Sequence, residues 1–496
     1  MSDNCRKLKL PTKLAFGIGS VGEVVFLGML NSFIGIFYNQ AIGLSNSLIG
    51  AAIMLALLSD AISDPIVGLV SDRWRSKLGR RHPFLFAAPV PLAISLYFIF
   101  SPPEMLTASS ETGEASQWLL FAWLTVWAMV SRLCLTLYVI PHLALGGELT
   151  QDRNERSKLF SINAVCGYIA GALFSFVAWG YFLGGETLNA EGLSIPKHLD
   201  PVAYGPLVYT ACGLVLVTIW LCAWGTKNQI QYLSEAPIET SGTNRRLLIS
   251  DLMGPLRNRN YMFLMVGFFF FMISVGLNET FGVFVNTYFW ELGTKDIRWF
   301  GLAAVPAILL GALAAPILMR KFDRKPVLVT ALIGMSIFAQ LTINLRLLGL
   351  FPENDSPILL PLLVANIAGL TFATAIATVT VLSMLGDISD EIELSTGLRQ
   401  EGIVYSARAF FAKASNSFGH LIAGIMLDVV VVIPFDAVPG QVDPDVIFRL
   451  GLSAGPFMGA GALFAIYFYL KYDLSADRHA EILEEIKVKK AAAATA

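Results

Sequence analysis

Residues 46–83 read NSLIGAAIMLALLSDAISDPIVGLVSDRWRSKLGRRHP. From Asn46 to Ser71 the run is dominated by apolar residues and is long enough to cross a bilayer, which takes about 20 residues as a helix. Arg73, Arg75, Lys77, Arg80 and Arg81 close it abruptly. Inside the run stand two carboxylates, Asp60 and Asp64. An ionisable group at the bilayer centre costs about 2.5–3.5 kcal/mol on insertion scales, so each needs a partner or a task. The stretch therefore reads as a spanning helix that carries chemistry and ends in a cytoplasmic loop.

The same apolar pattern recurs along the chain. Twelve segments qualify: 14–40, 46–71, 83–100, 118–140, 159–183 and 204–224, then 261–288, 297–319, 326–348, 357–385, 402–433 and 446–471. Composition agrees. The 496 residues are 55% hydrophobic and 15% charged, with a mean hydropathy of +0.63. Soluble domains carry roughly 25% charged residues. This excludes a soluble enzyme and a disordered scaffold. A net charge of −2 excludes a general nucleic-acid binder. The five cysteines show no CxxC and no ligand spacing, so neither a disulfide framework nor a metal site is implied. No nucleophile–base set or phosphate-binding loop marks an enzyme, and no cofactor is expected.

The basic residues set the orientation. With both termini cytoplasmic, the cytoplasmic segments hold 27 of the 35 lysines and arginines, and the outer loops hold only Lys197 and Lys295. The fold expected is an all-α membrane protein of the cytoplasmic membrane. It has an N-terminal six-helix half (1–224), a cytosolic linker (225–260), a C-terminal six-helix half (261–471) and a cytosolic tail (472–496). The tail reads as a short charged helix over 474–490 followed by a disordered alanine-rich end. The two halves echo each other. Asp72-Arg73 followed by Gly79-Arg80-Arg81 stands after the second segment, and Asp323-Arg324-Lys325 after the eighth. A 6+6 repeat of this kind is the major facilitator arrangement, with substrate bound between halves that rock.

Asp60 and Asp64 are four residues apart, so their carboxylates share one helix face. Two such groups repel unless a cation or a proton lies between them. Hard cations take oxygen ligands, so Ser63 and Thr136, one turn beyond Arg132, are further candidate ligands for Na⁺ or H⁺. No other metal is indicated. Lys413, Arg132 and Arg408 are the internal cations. Lys413 is the candidate coupling residue, against the alternative of a permanent ion pair. Glu23, Arg132, Asn278, Glu279 and Arg408 are candidate substrate contacts, while Asn31, Tyr38 and Asn366 have interhelical hydrogen bonding as their plainer role. Asp428 reads as a water-exposed residue near an outer end, and His142 as a loop-edge histidine beside Pro141. Trp118, Trp123, Trp290 and Trp299 read as interfacial belt residues.

The run Asp60-Ala-Ile-Ser-Asp64-Pro65-Ile-Val-Gly68, then Gly79-Arg80-Arg81-His82-Pro83-Phe84, resembles the glycoside–pentoside–hexuronide:cation symporters, the melibiose-permease group of the major facilitator superfamily. Lys13-Leu-Ala-Phe-Gly17, Ile140-Pro141 with Glu155-Arg156, and Glu401-Gly-Ile-Val-Tyr405-Ser406 before Lys413 are similar in order and spacing. The resemblance covers nearly the whole chain. It implies uptake driven by Na⁺, Li⁺ or H⁺, a cation site at Asp60, Ser63, Asp64 and Thr136, and the family's lysine at Lys413. Ser63 stands where melibiose permease has asparagine. The galactoside-binding aspartates of that permease fall on Val24 and Val139, and its arginine on Ala164, so the galactoside clamp does not carry over. Three readings follow: a symporter for a sugar or glycoside, a symporter for an anionic or amphipathic compound such as a lysolipid, and a receptor-like membrane protein. The partners expected are a small-molecule substrate and membrane lipid, with no nucleic acid, for a monomeric protein.

Overall fold

A computed structural model describes residues 8–107, 114–150, 152–188, 192–233, 258–396, 401–435 and 437–495. Among them are twelve helices long and apolar enough to cross a membrane. In chain order these are α1 Leu10–Ala41, α2 Asn46–Arg73, α3 His82–Thr107, α4 Gln117–Glu148, α5 Glu155–Phe182 and α6 Pro201–Lys227. The second six are α7 Arg259–Phe289, α8 Thr294–Lys321, α9 Arg324–Leu347, α10 Leu359–Ser395, α11 Ile403–Val431 and α12 Pro444–Leu470. All twelve expected segments are present. Between α5 and α6 a small hairpin pairs β1 (Glu186–Leu188) with β2 (Ser194–Pro196), which hydropathy alone did not suggest. A final helix, α13 (Ala476–Thr495), runs on through the alanines, so the expectation of a disordered end is corrected. Alanine has the highest helix propensity of all residues. The linker arginines Arg245, Arg246 and Arg257, together with Cys5, lie outside the described residues.

Helix ends follow local chemistry. Ser45 caps α2 by accepting from Leu48 N, and Asp323 caps α9 by accepting from Arg324 N at 2.7 Å. Proline stands in the first turn of α1 and of the helical turn that opens α3, where its missing N–H costs nothing. Two helices outlast their apolar runs. Helix α4 passes through Pro141 to Glu148, and α10 continues from Leu385 to Ser395. The carboxylates that end the hydropathy signal are paired: Glu148 with Arg80 and Arg81, and Asp387 with Arg324.

Contacts group the chain into two units. One holds Met1–Ser241, Glu279–Leu302 and His420–Val446; the other holds Gly242–Asn278, Ala303–Gly419 and Ile447–Ala496. In the first, α1 packs on α5 and α6, and α2 on α4. The C-terminal ends of α7 and α11 belong to this unit as well. In the second, a core centred on Tyr261, Phe268, Leu328, Met384 and Tyr469 joins α7, α9, α10 and α12.

His142 is not a loop-edge residue. It is fully buried in α4, with Nε2 bonded to the Phe16 carbonyl at 3.1 Å and its ring stacked on Phe16. Trp290 is likewise buried, edge-on to Phe289, and so is not a belt residue. Trp118 and Trp299 are exposed as expected. Tyr38 bonds the Ile99 carbonyl and Asn366 the Phe338 carbonyl, which is the interhelical role anticipated for them.

Candidate cation and substrate site

The helical period brings Asp60 and Asp64 to the face of α2 that packs on α4. There Thr136 meets both. Its hydroxyl lies 2.5 Å from Asp60 Oδ1 and 3.0 Å from Asp64 Oδ1. Three oxygens thus converge within the first unit. A hydroxyl carries one proton and donates to one acceptor. The remaining approach of oxygen to carboxylate oxygen is one that a shared proton or metal cation would relieve. Asp60 and Thr136 are buried and Asp64 is half-buried. Ser63 is turned partly away: its hydroxyl donates to the Asp60 carbonyl at 3.1 Å, which leaves only lone pairs to offer a cation.

Arg132, one turn before Thr136, is surrounded by acids. Asp60, Glu279 and Asp64 all act on its guanidinium. A pocket opens beside it, with Asn31, Asn46, Arg132, Glu279, Thr280 and His420 among its polar lining and Leu30, Ile34, Ile49, Ile53, Val283 and Phe284 among its apolar lining. Every one of these residues belongs to the first unit. His420 Nε2 is 3.2 Å from Glu279 Oε2, and its Nδ1 is 2.8 Å from Thr280 Oγ1. Sequence reasoning missed His420 and Thr280. The available signal was that His420 follows Lys413 by seven residues, two turns along one helix face.

Other candidates fall elsewhere. Asn278 is exposed on α7 and does not line the pocket. Glu23 is half-buried on α1, within electrostatic reach of Tyr138, and does not line it either. Arg408 lies in the second unit, its guanidinium 4.9 Å from the Phe268 ring centroid. Lys413 is half-buried on α11 in that unit. Val24 packs toward Gly167 and Gly171 of α5, a seam of small residues rather than a binding surface.

Beside the pocket, Asp428 holds the N-terminus of α2. Asp428 accepts from Asn46 N at 2.9 Å, from Asn46 Nδ2 at 3.1 Å and from Ser47 N at 2.7 Å. The carboxylate sits on the positive end of α2, which corrects the expectation of a merely wet residue. One turn inward from Asn46, Gly50 lets the α11 backbone approach; a Cβ there would fall 2.6 Å from the His420 carbonyl oxygen. Tyr288 donates to Gln40 Oε1 at 2.6 Å on the same side.

Compared with known sequences, residues 15–476 match the family described as MFS/sugar transport protein. The chain belongs to this family, the glycoside–pentoside–hexuronide:cation symporters of the major facilitator superfamily. It is 23% identical over 556 residues to an uncharacterized symporter of Synechocystis sp., with 98% of each chain covered. The isoprimeverose transporter of Lactiplantibacillus pentosus is 23% identical over 402 residues, covering 80% of this chain and 76% of that one. An inner membrane symporter of Escherichia coli is 23% identical, covering 85% and 83%. Among solved structures, the nucleoside transporter NupG aligns with a TM-score of 0.60 at 14% identity, covering 93% of this chain and 100% of NupG. The inward-open xylose transporter XylE of Escherichia coli aligns with a TM-score of 0.58 at 15% identity, covering 97% and 98%. The likeness to these structures is one of fold. The protein is an integral membrane transporter of the twelve-helix major facilitator class.

Proposed function

We propose that this transporter is a symporter that imports a sugar or glycoside across the cytoplasmic membrane, driven by a cation bound at Asp60, Asp64 and Thr136. The observation that carries the reading is the Thr136 hydroxyl standing between two carboxylates within the spans α2 and α4. The coupling ion is Na⁺ or H⁺. Either satisfies the crowded oxygens and removes the repulsion between the aspartates. The six-helix halves 1–224 and 261–471 are the bodies that rock, with the linker 225–260, the tail and both termini in the cytoplasm and a monomer as the working unit. Lys413 is the coupling residue. An ionisable group within a span is retained for a task, and on this reading its charge answers the aspartates when no ion does. No bond is made or broken in the cargo, so the protein is not an enzyme. Ion and cargo drive each other because both bind the same conformational state better.

The name of the isoprimeverose transporter among its relatives supports a sugar or glycoside cargo. Arg132, which by itself suggests an anionic cargo, has three carboxylates as its charged surroundings, so no observation favours that alternative. Reconstitution in liposomes tests the function. A panel of neutral and acidic sugars is offered under an imposed Na⁺ gradient and, separately, an H⁺ gradient. Gradient-driven accumulation is expected in the native protein and lost in Asp60→Asn and Asp64→Asn. Undiminished accumulation in both variants overturns the cation site.

A further inference from the structure

We propose that Glu279 is the hydroxyl acceptor of the cargo site, that His420 positions it, and that the cargo is therefore a neutral glycoside rather than an acidic sugar. The inference rests on the symporter reading above and assigns the substrate class to its pocket.

Glu279 lies on α7 and lines the pocket in company with Arg132 of α4. A carboxylate has four lone-pair sites and accepts a vicinal pair of hydroxyls readily, and a guanidinium offers donors in a planar fork. The two together match a polyhydroxylated ring, which presents donors and acceptors on adjacent carbons. Ile49 and Ile53 of α2 add apolar wall for the C–H surface of such a ring.

Glu279 is held for this purpose from a different helix. His420 of α11 reaches Glu279 through Nε2 at 3.2 Å and is itself gripped by Thr280 through Nδ1 at 2.8 Å. Both ring nitrogens are engaged, so the imidazole is fixed in tautomer and orientation. The ring is buried, and its own backbone is pressed onto Gly50. A single carboxylate oxygen is thus pinned in direction, and the group can present its acceptor sites to the pocket in one register. Unlike Asp60 and Asp64, Glu279 has no contact with Thr136 among the hydrogen bonds described.

The electrostatics choose between cargo classes. Among the residues lining the pocket, Glu279 and Arg132 are the oppositely charged pair, with His420 bonded to Glu279. A uronate would add a second carboxylate beside Glu279 to a lining whose charges already balance. A neutral glycoside incurs no such repulsion and uses the same hydrogen bonds.

The experiment uses the full chain in liposomes with four probes: methyl β-D-galactoside, methyl β-D-xyloside, melibiose and galacturonate. At least one neutral probe is expected to accumulate, with galacturonate competing at a concentration 100-fold higher or more. Glu279→Gln is expected to raise KM for that probe at least 30-fold and to narrow the discrimination against galacturonate at least tenfold. His420→Ala is expected to raise KM about tenfold with kcat within threefold, and His420→Gln to recover part of the loss because its amide N–H reaches the same carboxylate. Tryptophan fluorescence titrated with Na⁺, or with pH, in the absence of cargo reports whether each variant is folded and still binds its ion; affinity within twofold of the native protein is expected. An unmoved KM in Glu279→Gln, galacturonate carried as well as the neutral probes, or loss of ion binding in that variant each overturns the inference and leaves the symporter reading standing. No uptake of any probe under either gradient overturns both.

Discussion

In the first repeat, Arg81 from the loop after α2 reaches Glu148 at the inner end of α4 at 2.8 Å and also holds Asp72. In the second, Arg324 at the start of α9 reaches Asp387 in α10. The outer ends correspond too. Helices α1 and α7 finish in π-helical turns (Phe37–Ala41, Val285–Phe289), and so do α5 and α11 (Ala178–Phe182, Leu427–Val431). The middles do not match. Helix α2 carries Asp60 and Asp64, answered by Thr136 on α4. Helix α8, its counterpart, has Pro306 and Pro316 and no ionisable group between Arg298 and Arg320. The threonines of α10 bond back to their own helix, as Thr378 does to the Thr374 carbonyl at 2.9 Å. The repeat supplies matching ends, and among the described residues the carboxylate–hydroxyl cluster of α2 and α4 has no counterpart on α8 and α10.

Four measurements press on that contrast. Asp60→Asn should reduce gradient-driven accumulation at least 100-fold while the protein still inserts and purifies; retained accumulation would erase the distinction between α2 and α8. At the inner ends the repeats should instead behave alike. Arg81→Gln leaves Glu148 with Arg80 alone, and Arg324→Gln leaves Asp387 with His479 at 3.7 Å, the two carboxylate side chains being 16% and 7% exposed. Each should cost about 2–3 kcal/mol, read as a lower melting temperature in detergent. A large loss in one and none in the other would break the symmetry. Thr136→Val should weaken cation binding about tenfold, or about 1.4 kcal/mol, whereas Thr378→Val should leave it within twofold. An affinity left unmoved in Thr136→Val would remove Thr136 from the cation site.

The last measurement concerns the segment between α5 and α6. His198 is buried against Trp179 with Nε2 3.0 Å from Thr287 Oγ1. Burial pushes its pKa down from 6.5 to about 3. As pH falls below 6.5 the unfolded chain takes up a proton that the folded protein refuses. Stability contributed by the neutral ring is therefore present above pH 6.5 and lost progressively toward pH 3, by up to about 1.4 kcal/mol per pH unit. Thermal melts between pH 7 and 5 should show a shallower decline in His198→Gln than in the native protein. Parallel declines would mean that His198 is not the group responsible.

Much of this was legible in the chain itself. The helix count and the aspartate pair follow from apolar run length and from the four-residue spacing that stacks side chains on one face. Thr136 was readable as a neighbour of Arg132 on one helix, and the family resemblance put it with Asp60 and Asp64. His420 was legible only as a residue on the helix face of Lys413; its partners Glu279 and Thr280 lie 141 and 140 residues away, where no local spacing reaches. Asp428 misled for a related reason: hydropathy places it at a membrane boundary and is silent about the α2 N–H groups waiting there. His142 misled because Pro141 looked like a helix end, whereas α4 continues and buries the ring on Phe16.

By itself the sequence determined the solvent and twelve crossings. Both depend on local composition, since each span satisfies its own backbone hydrogen bonds within one helix. Which of the charged residues work together was decided only by the tertiary structure. Asp60 and Asp64 on α2 with Thr136 on α4, Glu279 on α7 with His420 on α11, and Arg408 set apart over Phe268 are all pairings between helices. They arise from packing faces that no single segment encodes.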